Sequence, residues 1–187
     1  MRQFFTVNRT RAGHRVVLEQ LGPYRYRISM EPCIRVKCLS IQQPWADLIL
    51  GGEKLVENRS RHWKQAAQRL EAGEGVSLGI HVSSGRSVWN GMSHKEKEDL
   101  APGWDEGNDP NAGSVGGVVD VSQICPPERL SEELREHKFT KHNSQSCWVL
   151  GNPRILSQSF PVRTYGGLFD LNIPCRLLPA NSQPYAW

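Results

Sequence analysis

The chain has 187 residues, of which 38% are hydrophobic and 22% charged, the balance of an ordinary globular protein long enough to bury a core without covalent staples. Its five cysteines are odd in number and show no C-x-x-C spacing, which speaks against a zinc site or a disulfide framework and for free thiols in a reducing cytosol; no metal and no cofactor is expected. No apolar run approaches the ~18 residues of a membrane span, and "MRQFFTVNRT" lacks the apolar centre of a secretory signal, so the expected location is the cytoplasm, or the nucleus in a eukaryote.

The net charge of +4 is unevenly spread. Residues 1–37 hold eight Arg and Lys against two acids, a balance of +6, and the remaining 150 residues come to −2. A basic arm on a near-neutral body suits a polyanion, with Arg25 and Arg27 as its candidate contacts. A solvated hairpin whose arginines do nothing specific fits the charge equally well.

In chain order, residues 3–29 read as two or three strands, either an accessory hairpin or an extra layer. In "YRYRISM" a period of two sets Tyr24, Tyr26 and Ile28 on one face and Arg25 and Arg27 on the other. Residues 1–34 are taken as a basic N-terminal β extension. The main domain, 35–175, opens with the strand "IRVKCLSI". "QPWADLIL" is a short helix with Pro44 at its first position and Trp45, Leu48 and Ile49 on one face; Gly51 and Gly52 stop it. "KLVENRS" is a strand in which Glu57 and Arg59 point one way and Val56 and Asn58 the other.

"HWKQAAQRLEAG" is partly helical and "VSLGIHVSS" is a core strand. "SHKEKEDL" carries a capping box, Ser93 with Glu96, and predicts a surface helix. "PGWDEGNDPNAGS" reads as a polar, mobile loop. Then come a strand in "VGGVVDVSQIC", a helix in "PPERLSEELREH", closing strands in "SCWVLGNPRIL" and "GGLFDLNIP", and an irregular tail over 176–187. Strands with single helices between them predict an α+β fold, a small, mostly antiparallel β-barrel with a few peripheral helices.

The sequence has no phosphate-binding G-x-x-x-x-G-K-[ST] loop, no dinucleotide fingerprint, no G-x-S-x-G elbow and no H-E-x-x-H helix. What remains is a cluster, Lys54, Glu57 and Arg59, near Trp45, His62, Trp63 and His81. Lys and Arg supply charge for phosphate. A carboxylate accepts from an exocyclic amine or acts as acid or base, and a Trp face stacks on a base. The same residues also fit an Arg59–Glu57 ion pair that closes a barrel end with Trp45 in the core. Three charges so close would be costly in a dry interior, so the cleft is expected to be wet.

"LSIQQPWADLILGGEKLVENRS" resembles the signature of the ASCH family, the domain named for homology to the activating signal cointegrator. The matching positions are Gln43, Pro44, Trp45, Ala46, Gly52, Lys54, Val56, Glu57 and Arg59. "IHVSS", with His81 and Ser83, "GGVVDV", "WVLGNPRIL", with Arg154, and "FDLNIP" follow in order, so the resemblance spans about 35–175. It implies a PUA-like barrel with a cleft beside the first helix, lined by Gln43, Pro44, Trp45, Lys54, Glu57, Arg59, Trp63, Ser83 and Arg154. It also implies RNA, another nucleic acid or a nucleotide-like small molecule as partner.

In the family's acetylcytidine amidohydrolases a Lys is followed three positions on by a Thr nucleophile, and two further by an Arg. Here Glu57 stands where the Thr would be, which leaves no hydroxyl nucleophile and resembles the coactivator-type branch. Two function classes follow. One is a nucleic-acid or nucleotide-binding module. The other is a hydrolase on RNA or a modified nucleoside, with Glu57 or His81 as general base and Lys54 stabilising developing charge. A cleft that holds a peptide is a third.

Overall fold

A computed structural model describes residues 15–83, 93–100, 102, 111–163, 166–180 and 184–186. The expectation of a mobile 101–114 loop, with Trp104, falls outside these residues except at 102 and 111–114, the last of which opens a strand. The fold is mixed α+β: a six-stranded sheet carries a few short helices, and a separate two-stranded hairpin precedes it.

The hairpin is β1 (Arg15–Gly22) and β2 (Arg25–Glu31). It forms its own sheet over 15–31 and is exposed along most of its length. Its base meets the main domain through the Arg15 guanidinium over the Phe160 ring, 5.1 Å from the centroid, and through a Glu31–Arg176 ion pair.

The main sheet contains β3 (Cys33–Ile41), β4 (Val56–Arg59), β5 (Val76–Val82), β6 (Ser114–Cys125), β7 (Ser146–Pro161) and β8 (Leu168–Pro174). Their order is β4-β7-β6-β5-β3-β8. Only β3 and β5 run parallel; the other pairs are antiparallel. The parallel pair needs a crossover, and α1 (Trp45–Leu50), β4 and α2 (Lys64–Glu71) lie within it. The crossover therefore carries the signature segment from one side of the sheet to the other and leaves β4 as an edge strand.

Each face of the sheet has its own core. Leu39, Leu78, Ile80, Val119 and Trp148 pack with Ile49 and Leu50 of α1 and Ala66 of α2. On the opposite face Val36, Cys38, Val118 and Ile173 pack with Leu177 and Leu178 of the C-terminal tail. That tail, expected to be irregular, is docked: a 3-10 turn forms over Cys175–Leu177, and Tyr185 N donates to Ser77 Oγ at 2.9 Å.

Two helices differ instructively. α3 (His94–Leu100) begins as its capping box predicts, with Glu96 N donating to Ser93 Oγ and Ser93 N to Glu96 Oε2 at 2.7 Å. The helix expected over "PPERLSEELREH" splits into a 3-10 turn, Pro127–Arg129, and a short α4, Glu132–Glu136. Leu130 lies between them in extended conformation and is buried. Burial of that side chain against Val56, Cys125 and Cys147 overrides the local helix propensity.

Helix α1 sits on the sheet where β6 has Gly116 and Gly117. A Cβ on Gly117 would lie 2.5 Å from Leu50 Cδ2 and 2.8 Å from the Arg154 carbonyl oxygen of β7. The carbonyl belongs to a paired strand and cannot yield cheaply. Gly117→Ala is therefore expected to lower unfolding free energy by about 1–3 kcal/mol, read as a reduced urea midpoint with an unchanged slope.

Candidate functional site

The site is built where the chain leaves α1. Gly52 takes φ 78°, a left-handed conformation that glycine adopts without a Cβ penalty. The backbone folds back so that Glu53 N and Lys54 N both donate to Leu48 O at 2.9 Å. Lys54 is thereby held over the helix end. At the other end of α1, Gln43 Oε1 accepts from Asp47 N at 3.2 Å. Pro44 stands just before the first helical residue, Trp45.

Strand β4 then pairs with β7, Glu57 opposite Trp148 and Asn58 opposite Cys147. Lys54 Nζ donates to Glu57 Oε2 at 2.7 Å and to the Val56 carbonyl. Arg59 reaches Glu57 Oε1 at 3.5 Å. Lys54 and Glu57 are 4% and 7% exposed, a drier setting than the wet cleft expected from three adjacent charges. Of the three, only the Arg59 side chain has substantial exposure, 34%.

The walls are aromatic. Trp45 stands edge-on to Phe139, with centroids 5.7 Å apart and an interplanar angle of 76°. Lys54 Nζ lies 6.0 Å from the Trp45 ring centroid. Asn58 Nδ2 donates to Phe139 O at 2.7 Å, and Asn58 Oδ1 accepts from Lys141 N at 2.8 Å. Both ends of one amide thus fasten the 139–141 segment to β4. Trp45, Lys54, Glu57, Asn58, Phe139 and Lys141 enclose a cavity of about 120 Å³. Drug-sized ligand pockets run to roughly 300–1,000 Å³, so this one is small.

Lys54 has three donors, of which Val56 O and Glu57 take two. The Glu57 carboxylate has four lone-pair sites, and the structure assigns it Lys54 and a long contact from Arg59. Lys54 and Glu57, joined at 2.7 Å, both line the cavity.

The other expected residues fall elsewhere. Trp63 is 5% exposed and packs on Trp148, centroids 5.1 Å apart, in the core. Ser83 is half-buried at the end of β5, its N donating to Ile41 O. His62 is exposed, its Nδ1 3.4 Å from Ser146 Oγ. Arg154 is buried on the opposite face of the sheet, where its Nη1 donates to Asp120 Oδ2 at 2.8 Å and its Nη2 to Ser77 Oγ at 3.2 Å. Burial alone would raise the Asp120 pKa, but hydrogen bonds from Arg154, Ser77 and Asn152 outweigh it and hold the carboxyl below its ordinary value.

His81 is 3% exposed. Its Nδ1 meets Ser40 Oγ at 3.0 Å, its Nε2 meets Val162 O at 3.3 Å, and its ring stands edge-on to Phe169. It does not line the cavity. The sequence reading missed Asn58, Phe139 and Lys141 as lining residues. The basic, aromatic "HKFTKH" was the available signal, but nothing local ties it to β4. Among the described residues no cluster of His, Cys, Asp and Glu forms a metal site.

A protein-family model, the ASCH domain, matches residues 39–160. Among solved structures the chain is similar to two ASCH structures from Zymomonas mobilis. A mutant form of ZmASCH is 14% identical, with 72% of this chain and 87% of that chain covered and a TM-score of 0.39. A second ASCH structure is 15% identical, with 67% and 73% covered and a TM-score of 0.35. The family assignment rests on the family model.

Two outcomes follow from this geometry. Removing one member of a buried ion pair strands the other's charge. Glu57→Leu should cost about 3 kcal/mol, and adding Lys54→Met should recover most of it; urea unfolding of single and double variants measures both. His81 titrates below its ordinary value because burial disfavours the imidazolium, against hydrogen bonds to the Val162 and Gly113 carbonyls that favour it. The unfolded state takes up that proton first, so stability falls as pH drops through about 6.5 toward the lower folded value. His81→Gln should flatten this slope between about pH 7 and 5.

Proposed function

The chain belongs to the ASCH domain family, and we propose that it is an RNA-binding module whose cleft takes one base of the ligand. One observation carries this reading: a cavity of about 120 Å³, walled by Trp45 and Phe139 and floored by the Lys54–Glu57 pair. The size suits one planar ring. The aromatic walls suit its faces, since stacking of a base on an aromatic side chain contributes about 1–3 kcal/mol. The floor pairs a donor with an acceptor, the complement of a base edge that carries a carbonyl or ring nitrogen beside an amine. Lys141 in the lining and Arg59 beside Glu57 supply positive charge for the flanking phosphates. The main sheet is read as the curled wall of a PUA-like barrel, with the cleft at its rim beside α1.

A hydrolase reading is supported at Glu57 alone, a buried carboxylate that shares a hydrogen bond with a lysine inside the cleft. His81, hydrogen-bonded outside the cavity lining, offers it no support.

Titration of nucleosides and short RNAs into folded variants tests the proposal. Trp45→Ala should weaken binding about tenfold or more, and Lys141→Ala should weaken RNA but not nucleoside binding. Glu57→Gln should change which base is preferred, because its amide can donate as well as accept. Turnover by the parent that Glu57→Gln abolishes would establish the hydrolase instead. Parent-like binding by folded Trp45→Ala and Glu57→Gln would reduce the cluster to a structural ion pair.

A further inference from the structure

The β1–β2 hairpin lies outside the residues that match the family, 39–160. Its register sets Val16 opposite Met30, Leu18 opposite Ile28 and Gln20 opposite Tyr26, which gathers one nearly continuous apolar face. That face is open: Leu18 is 62% exposed and Tyr26 53%, while Tyr24 at the turn is 98% exposed. An isolated two-stranded hairpin is at best marginally stable in water, and an open apolar face of this kind marks an interaction surface.

Charge identifies the occupant. The tip reads Tyr-Arg-Tyr-Arg, residues 24–27. Arg27 meets Glu19 at 3.1 Å with both side chains more than half exposed, a geometry worth little in stability and readily given up. Arg25 makes no ion pair among the described residues. The first 37 residues carry +6 and the rest of the chain −2. The hairpin itself, residues 15–31, holds three Arg against two Glu, and its tip presents Arg25 and Arg27 to a polyanion.

We propose that the hairpin tip is a second contact for single-stranded nucleic acid, in which the rings of Tyr24 and Tyr26 stack on bases while Arg25 and Arg27 hold phosphates. The class of partner rests on the RNA reading of the cleft; the contact itself rests on exposure, register and charge. Aromatic and basic side chains interleaved on a projecting ribbon are what sequence-tolerant single-strand binding requires.

The test uses the full chain and a single-stranded RNA of about ten nucleotides, within the range of single-strand sites. All four side chains face solvent, so the variants should fold, which circular dichroism checks. Tyr24→Ala with Tyr26→Ala should weaken RNA binding about tenfold and leave nucleoside binding in the cleft unchanged. Arg25→Gln with Arg27→Gln should reduce the slope of log affinity against log salt by about 0.7 for each arginine. If both pairs bind RNA like the parent while Trp45→Ala does not, the hairpin contact is overturned and the cleft reading stands. If the hairpin pairs weaken binding and Trp45→Ala does not, the cleft reading falls and the hairpin contact stands. If RNA affinity is unchanged and the tyrosine pair instead dissociates a dimer in sedimentation, the face binds a second copy and the proposal is overturned.

Discussion

Burying the Lys54–Glu57 pair constrains much of the surrounding architecture. Two charges taken out of water incur a desolvation cost that their attraction repays only when the remaining hydrogen-bonding capacity is met. Here Lys54 meets Glu57 and the Val56 carbonyl, and Arg59 adds a second cation at the solvent side. Those partners exist because Gly52 reverses the chain and Leu48 O holds the backbone of residues 53 and 54. The pair thus links the end of α1 to edge strand β4, and the cavity is the space those two elements leave in front of the 139–141 segment.

The sheet carries a second ion pair on its other face, between a buried Arg154 and a half-buried Asp120. Arg154 and Asp120 are closed in by Ser77, Asn152 and the docked tail. Asp120 is saturated by the chain's own donors, which fits a structural role. The Lys54–Glu57 pair lies beside two aromatic rings. Among the described residues Arg154 Nε is buried without a hydrogen-bond partner; of the two pairs, Lys54–Glu57 is the one that lines the cavity beside Trp45 and Phe139.

The arginines of the N-terminal region divide in the same way. Arg35 and Lys37 on β3 share Asp170, whose carboxyl is held below its ordinary value chiefly by the Lys37 hydrogen bond. Arg15 sits by Phe160 and Glu31 at the hairpin base. Much of the positive charge that reads as one arm is therefore committed to joining elements together. Arg25, at the tip, is not.

What the sequence by itself determined is local. Period-two alternation located the strands, and on β4 it set Glu57 and Arg59 to one side. The Ser93–Glu96 box located the start of α3, and the glycines after Leu50 ended α1 in the turn that presents Lys54. These features depend on contacts within a few residues, so a linear reading suffices. Only the tertiary structure decided which residues face the cleft. Trp63 and His81 carry the same chemistry in the sequence as Trp45 and Glu57, but strand order takes Trp63 into the core beside Trp148 and seats His81 between Ser40 and Val162. Phe139 and Lys141 enter the site through Asn58, some eighty residues earlier in the chain. The parallel β3–β5 crossover places β4 at the sheet edge beside β7, and no spacing in the sequence encodes that pairing.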